Sequence, residues 1–470
     1  MNRKSFLNSL GIITGGAFIS LQSKAFTELH REETISGTVT DQGKGVKNVV
    51  ISDGYTVVLT DASGRYTISP NAKSKTLFMS TPSGYEFKTD YNLARQYETL
   101  GSRNQYDFKL TRLKKNDNKH NFIIWADPQT KTKKDVQQMM DTSVPDTIET
   151  IHSLGKDALV HGICVGDIVW DNHALFPDYN KAVAQMGIPF FQALGNHDMD
   201  YRLGGDDTSD ATFKEIYGPT YYSFNRGKAH YVVMDDVRYL GTERAYDGYI
   251  TEDQLAWLAK DLQHADKNHL LIINLHIPVY SHVKNNQALY DVLAGFKNVH
   301  IMSGHTHYNA NKIDKGIFEH NHGTVCGAWW TGPICEDGTP RGYAVYEVNG
   351  TELKWYYKST GLPKDHQISL FTEKTGNTVR VSANVWNWDT AWSVEYFLDA
   401  KPMGQLKNQT GFDPLSVTLY KGDLLPEGRH FPEPHMTDHL FIAEFEAGPR
   451  KIKVVAKDRF GVHFSAEAEL

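Results

Sequence analysis

The segment Ile163-Cys164-Val165-Gly166-Asp167-Ile168-Val169-Trp170-Asp171 runs through apolar residues of strand length, meets a glycine, and leaves an acid just beyond it. A continuous apolar run reads as a strand buried on both faces. Glycine lets the backbone turn sharply where such a strand ends. The same pattern recurs along the chain. Asp127 and Gln129 follow Phe122-Ile123-Ile124-Trp125, while Asn196 and His197 follow Phe190 to Leu194 and Gly195. His276 follows Leu271 to Leu275, and His305 and His307 follow His300-Ile301-Met302-Ser303-Gly304. Helical patterns lie between the runs: Val136, Met140, Ile148, Ile151 and Leu154 at near-helical spacing, then a capping signature from Thr251 to Gln254. Alternation of this kind predicts an α/β domain, in which sites form outside the carboxyl ends of the strands. Residues spread over some 180 positions of sequence can therefore meet.

Carboxylate, amide and imidazole donors without thiolate suit Mn, Fe, Zn or Co. There are enough of them for two ions about 3.5–4 Å apart, bridged by one carboxylate. A lone Gly-Asn-His-Asp or His-x-His occurs in ordinary turns and strands; five such elements in order, each at a strand end, form a specific signal.

The blocks Asp127-Pro128-Gln129, Gly166 to Asp171, Gly195-Asn196-His197-Asp198, His276 and Gly304-His305-Thr306-His307 resemble those of the calcineurin-like metallophosphoesterase family. The resemblance covers about residues 120 to 355. It implies a layered α/β/β/α fold and hydrolysis of phosphomono- or phosphodiesters by a hydroxide held between two divalent or trivalent metal ions. Carried over by position, one metal takes Asp127, Gln129, Asp167 and His307, and the other takes Asp167, Asn196, His276 and His305. His197 is implied to assist the transition state or the leaving group, with Asp198 orienting its imidazole and Asp171 supporting the ligands from behind. Gln129 departs from the commonest pattern, which has histidine there; a neutral amide oxygen is the poorer donor.

The flanks read differently. Residues 34–114 show short alternating runs and turns, the pattern of a small β-sandwich resembling the carboxypeptidase-regulatory-like module. Residues 120–358 hold the catalytic pattern, closed by a hairpin at Asn349-Gly350. Residues 362–470 read as a second β-sandwich, with Leu415 to Leu419 among its expected strands. The whole layout resembles exported bacterial members of the family with a sandwich on each side of a central α/β/β/α domain.

Length agrees: 470 residues allow about three domains at roughly 150 each. A net charge of -7 gives no global attraction for nucleic acid, so no nucleic-acid binding is expected and a phosphate must meet a local positive site. Residues 1–25 read as a signal peptide, with Arg3-Lys4, an apolar stretch to Leu21, and Ser23-Lys24-Ala25 as a cleavage site. That predicts export to the periplasm or cell exterior of a bacterium, by the Sec or the twin-arginine route. No later apolar stretch is long enough to span a membrane. Export favours phospholipid head groups, phosphorylated glycans, nucleotides or wall polymers as substrates.

Other candidates carry less. His320 and His322 form a second His-x-His without a strand-end glycine block. His161, inside an apolar run, reads as a satisfied core residue. His173, Trp329 and Trp330 are candidate substrate contacts. Cys326 and Cys335 are near enough to pair, although an odd count of three cysteines excludes a full disulfide framework. Trp386, Trp388 and Trp392 read as sandwich core before they read as a glycan platform. The competing reading is a cell-surface glycan-binding protein with a degenerate phosphoesterase domain. A metallo-β-lactamase-like hydrolase would need a His-x-His-x-Asp-His block, which His305-Thr306-His307-Tyr308-Asn309 lacks.

Overall fold

The computed structural model describes residues 34–421, 429–448 and 450–470, and the expected signal peptide lies outside them. Two sheets form the centre. The first has the order Glu352–Ser359, Gly342–Asn349, Lys119–Trp125, Val160–Cys164, Phe190–Gln192, Leu93–Ala94, Thr89–Asp90. The second runs Tyr222–Arg226, Ala229–Val233, Leu270–Asn274, Asn298–Ser303, Ile317–Asn321, Ala310–Asp314. Lys119–Trp125, Val160–Cys164 and Phe190–Gln192 pair in parallel, as do Ala229–Val233, Leu270–Asn274 and Asn298–Ser303. Each apolar run thus delivers its following polar residue to the same end of its sheet.

The sheets meet through aromatic faces. Phe122 stacks on Tyr346 at 4.5 Å and meets Tyr231 edge-on at 5.4 Å, and Phe191 stacks on Phe224 at 3.8 Å. His161 is buried among these rings, but it is not the satisfied residue expected. Its Nε2 has no hydrogen-bond partner, and burial holds its pKa well below the ordinary value, so it packs as a neutral ring. Helices cover the outer faces. Trp125 Nε1 donates to Thr147 Oγ1 at 3.2 Å, fixing the helix Val144–Ser153, and Thr251 caps Glu252–Asp261 by accepting from the Gln254 amide. The pattern from Val136 to Leu154 is not one helix. Lys133–Gln138 passes through a wide π turn, Met139–Ser143, before Val144–Ser153 begins with Pro145 near its start. Proline has no amide hydrogen for the preceding turn, and the ladder changes register there.

Residues 35–110 form two small four-stranded sheets, but the flank is not self-contained. Leu93–Ala94 pairs in parallel with Phe190–Gln192 and extends the first central sheet. At the other end, two four-stranded antiparallel sheets enclose a core that includes Val381, Val394, Ile452 and Val454. The strand expected at Leu415 to Leu419 is a helix, Pro414–Tyr420. Asp413 accepts from the Ser416 amide at 2.9 Å and Pro414 opens the first turn, a pairing that starts helices. Trp386 is fully buried, Trp388 meets Phe441 edge-on, and Trp392 stacks on Phe464. These rings pack the domain. All three cysteines are buried and free, and among the described residues no helix is long and apolar enough to cross a membrane.

Candidate metal centre

Where the carboxyl ends of the parallel strands meet, the sequence-predicted ligands come together. His276 Nε2 lies 3.0 Å from Asn196 Oδ1, 3.1 Å from His305 Nδ1 and 3.3 Å from Asp167 Oδ1. His276 Nδ1 donates to the Val165 carbonyl at 2.9 Å, which leaves the Nε2 lone pair facing that group. Four acceptor atoms turned on one point repel each other unless a proton or a metal cation lies between them. The second half of the site tells the same story. Asp127 Oδ1 is 3.5 Å from His307 Nε2, and His307 Nδ1 donates to the Gly327 carbonyl at 2.9 Å. Gln129 Nε2 donates to Asp167 Oδ2 at 2.9 Å, which fixes the amide orientation. Asp127 Oδ1, Gln129 Oε1 and His307 Nε2 are then all buried without a hydrogen-bond partner. Buried polar atoms normally have partners, so three orphans brought together from two segments far apart in sequence mark a ligand set.

Charge points the same way. Burial, aided by the Asp167 charge, pushes the Asp127 carboxyl up to about 8. Burial also works against ionising Asp167, but the imidazoles of His276 and His197 outweigh it and hold that carboxyl below the ordinary range. For His276, burial opposes the proton, yet Asp167, Asp127 and Asp236 push its pKa up to about 10. The cluster requires positive charge at its centre, which bound cations would supply. His305 and His307 are held neutral mainly by burial, as ligating imidazoles must be, His307 with a pKa of about 4.

The backbone is strained here. Asp127, Gln129, Asp167, His305 and His307 all have φ between 39° and 70°, a region side chains other than glycine's seldom occupy. Such outliers persist where the surroundings over-determine them, commonly at functional sites. The neighbouring glycines leave room: a Cβ on Gly195 would fall 2.0 Å from the Asp167 nitrogen, and one on Gly166 2.6 Å from His276 Nδ1.

His197 stands beside the ligands. Its amide donates to Asp167 Oδ1 at 2.8 Å, and its Nδ1 lies 2.9 Å from Asp171 Oδ1. Asp198 was expected to orient this imidazole and does not. Its carboxylate accepts from the amides of Ile168, Val169 and Gly195 at 3.0–3.1 Å, holding the Asp167 and Asn196 loops together. Asp171 stands where Asp198 was expected, against the His197 ring, and it also pairs with Arg244.

Trp329 stacks on His307 at 4.1 Å and is partly exposed. Trp330 is buried, with Nε1 donating to the Pro128 carbonyl, so it holds the Gln129 loop and offers no open surface. His173 stacks on Phe176 and pairs with Asp200, contacts that are structural. Sequence reasoning missed two residues. Asp236 accepts from the amides of His276 and Ile277 at 3.0–3.1 Å and so aims His276. Its signal was an acid just after the run Tyr231 to Met234. Arg244 had none, because it sits on a loop between the short strands Val237–Tyr239 and Tyr246–Gly248.

Three models of the calcineurin-like phosphoesterases match consecutive stretches: the N-terminal model at residues 33–113, the calcineurin-like phosphoesterase model at 120–309, and the C-terminal model at 319–464. A search of curated proteins returned no match. Similar solved structures include a dimetal phosphatase from Danio rerio, at 15% identity over 56% of this chain and 95% of that one, with a TM-score of 0.35. Another is the purple acid phosphatase PPD1 from yellow lupin (Lupinus luteus) seeds, at 11% identity over 72% and 67%, with a TM-score of 0.37. The three adjoining model matches, which together span most of the sequence, show that the chain belongs to the calcineurin-like phosphoesterase family, binuclear and metal-dependent, with an added domain on each side of the catalytic fold.

Proposed function

We propose that the protein hydrolyses phosphoesters with two metal ions, one held by Asp127, Gln129, Asp167 and His307, the other by Asp167, Asn196, His276 and His305. The observation that carries this reading is the orphaned set Asp127 Oδ1, Gln129 Oε1 and His307 Nε2, facing the crowded acceptors around His276. Mn, Fe, Zn or Co suit these hard and borderline donors. When bound, such a pair lowers the pKa of water from about 15.7 toward about 7 and neutralises phosphoryl charge.

The chain's own groups do the rest. Asp171 accepts from His197 Nδ1 and offsets the positive charge of the doubly protonated ring, the form whose Nε2 proton can pass to the leaving oxygen as the phosphorus–oxygen bond breaks. Arg244, half-exposed beside Asp171 and over the Tyr201 ring, adds the local positive charge that an acidic protein needs to receive a phosphate. Asp236 and Asp198 keep the His276 and Asp167 loops in position through backbone amides. The signal-like character of residues 1–25 supports a periplasmic or extracellular site of action.

Metal analysis with hydrolysis of p-nitrophenyl phosphate and its bis-ester, with Mn, Zn, Fe or Co added, tests this reading. Two ions per chain and turnover of at least one ester are expected. Stoichiometric metal without turnover on either would contradict hydrolysis and favour a binding protein. That reading gains little from Trp386, Trp388 and Trp392, of which the first is buried and the other two pack partly buried against the sandwich core.

A further inference from the structure

We infer that the C-terminal domain completes the active site, through Phe431, as a subsite for a flat aromatic ring on the leaving group of the ester. This rests on the phosphoesterase reading above and narrows its substrate class. Phe431 belongs to the stretch between the helix Pro414–Tyr420 and the strand Met436–Glu446, yet it lies against the catalytic domain. Its ring meets Trp329 edge-on at 4.9 Å and Trp170 at 5.3 Å. Trp329 stacks on His307, and Trp170 meets His197 edge-on at 5.8 Å. The three rings therefore connect the ligand side of the site to the leaving-group side.

Two facts separate this patch from incidental surface. The first is anchoring. Arg429 hydrogen-bonds the Trp329 carbonyl and donates to Asp135 at 2.7 Å, an ion pair whose side chains are only 15% and 5% exposed. Beyond Phe431, the Glu433 amide donates to Glu336 and His435 stacks on Tyr308 at 4.2 Å. The segment is pinned on both sides of a phenylalanine that is still 47% exposed. The second is the company the rings keep. Trp170 carries Lys131 at 3.9 Å and Arg429 at 5.3 Å from its centroid, so cations already lie over that ring. Trp329 and Phe431 keep partly open surface. A flat, uncharged, electron-rich ring matches such a surface; a further cation does not.

Matched substrates test this. AMP and ribose 5-phosphate release the same alcohol oxygen and differ only in the base; benzyl and ethyl phosphate make the corresponding comparison for a simple aryl group. Each would be assayed also as its methyl diester, on metal-loaded full chain. Stacking on an aromatic platform predicts kcat/KM about tenfold or more in favour of the ring-bearing member of at least one pair. The pair that shows it identifies the ring as nucleobase or plain aryl. Phe431→Ala should bring that ratio toward one, and Phe431→Tyr should restore it. A ratio near one in the unaltered protein, or one that Phe431→Ala leaves intact, overturns the subsite while the phosphoesterase reading stands. No turnover of these esters by protein that does hydrolyse a p-nitrophenyl ester overturns the subsite alone; no turnover of these or of either p-nitrophenyl ester, with two metals bound, overturns both.

Discussion

His305-Thr306-His307 and His320-Asn321-His322 are the same motif on neighbouring parts of one sheet, and they have different fates. All four imidazoles are held neutral mainly by burial, His307 and His322 both with pKa values of about 4. Neutrality therefore does not separate them. Position and neighbours do. His305 and His307 follow the end of the strand Asn298–Ser303 with φ of 70° and 53°, and they face Asp127 and Asp167. His320 lies within the strand Ile317–Asn321, packed on Phe318 and Trp355, with Arg459 as the nearby charge. His322 has both nitrogens satisfied, by the Ser303 carbonyl and the Tyr346 hydroxyl at 2.8 Å each. His320 Nδ1 has no partner, but without an anion beside it nothing draws a cation there. A metal site needs orphaned donors together with negative charge, and only the first pair has both.

The contrast can be broken by substitution. Asp167→Asn should have the largest effect, removing both metals and with them turnover, as read by metal analysis and ester hydrolysis. His197→Ala should keep the metals and lower kcat by about 10²- to 10⁴-fold, the usual range for a lost general acid. If it lost metal as completely as Asp167→Asn, its assigned role would be wrong. Asp171→Asn, which weakens the hold on His197 Nδ1, should cost about 10- to 100-fold in kcat with metal retained. His320→Phe should keep both metals and full turnover; metal loss there would erase the distinction between the two motifs.

The smallest effect is on stability. Burial, with Arg459 nearby, lowers the pKa of His300 to about 3, and the imidazole bonds His320 at 2.9 Å. Unfolded, it titrates near 6.5. Its contribution is fully present above that pH and is lost as pH falls toward the folded value, because the unfolded chain takes up a proton that the folded chain refuses. The slope approaches about 1.4 kcal/mol per pH unit for this one group. Denaturation of metal-free protein between pH 7 and 4.5 should show a shallower pH dependence for His300→Phe than for the unaltered chain. Identical dependence would mean the imidazole is not held neutral.

Much of this arrangement could be read from the chain alone, for a physical reason. Buried parallel strands are continuous apolar runs, so their ends announce themselves, and Asp127, Asp167, Asn196, His276 and His305 each sit just past one. What the sequence hid depends on side-chain direction and on distant segments. Asp198 is adjacent to His197, but successive residues of the tight turn Asn196–Asp198 point about 120° apart, and the acid turns to the Ile168 and Val169 amides. Asp171, with φ of 52°, is brought back to His197 across 26 positions. The apolar run Leu415 to Leu419 fits strand or helix equally, and only the Asp413-Pro414 start decides. Arg244 and Phe431 belong to loops whose placement no local pattern encodes.

The most direct test is anomalous X-ray scattering from crystals of the full chain grown with Mn. The account predicts two peaks about 3.5–4 Å apart, both within reach of Asp167, one bounded by Asp127, Gln129 and His307 and the other by Asn196, His276 and His305. A peak at His320 and His322, or none beside Asp167, would contradict it.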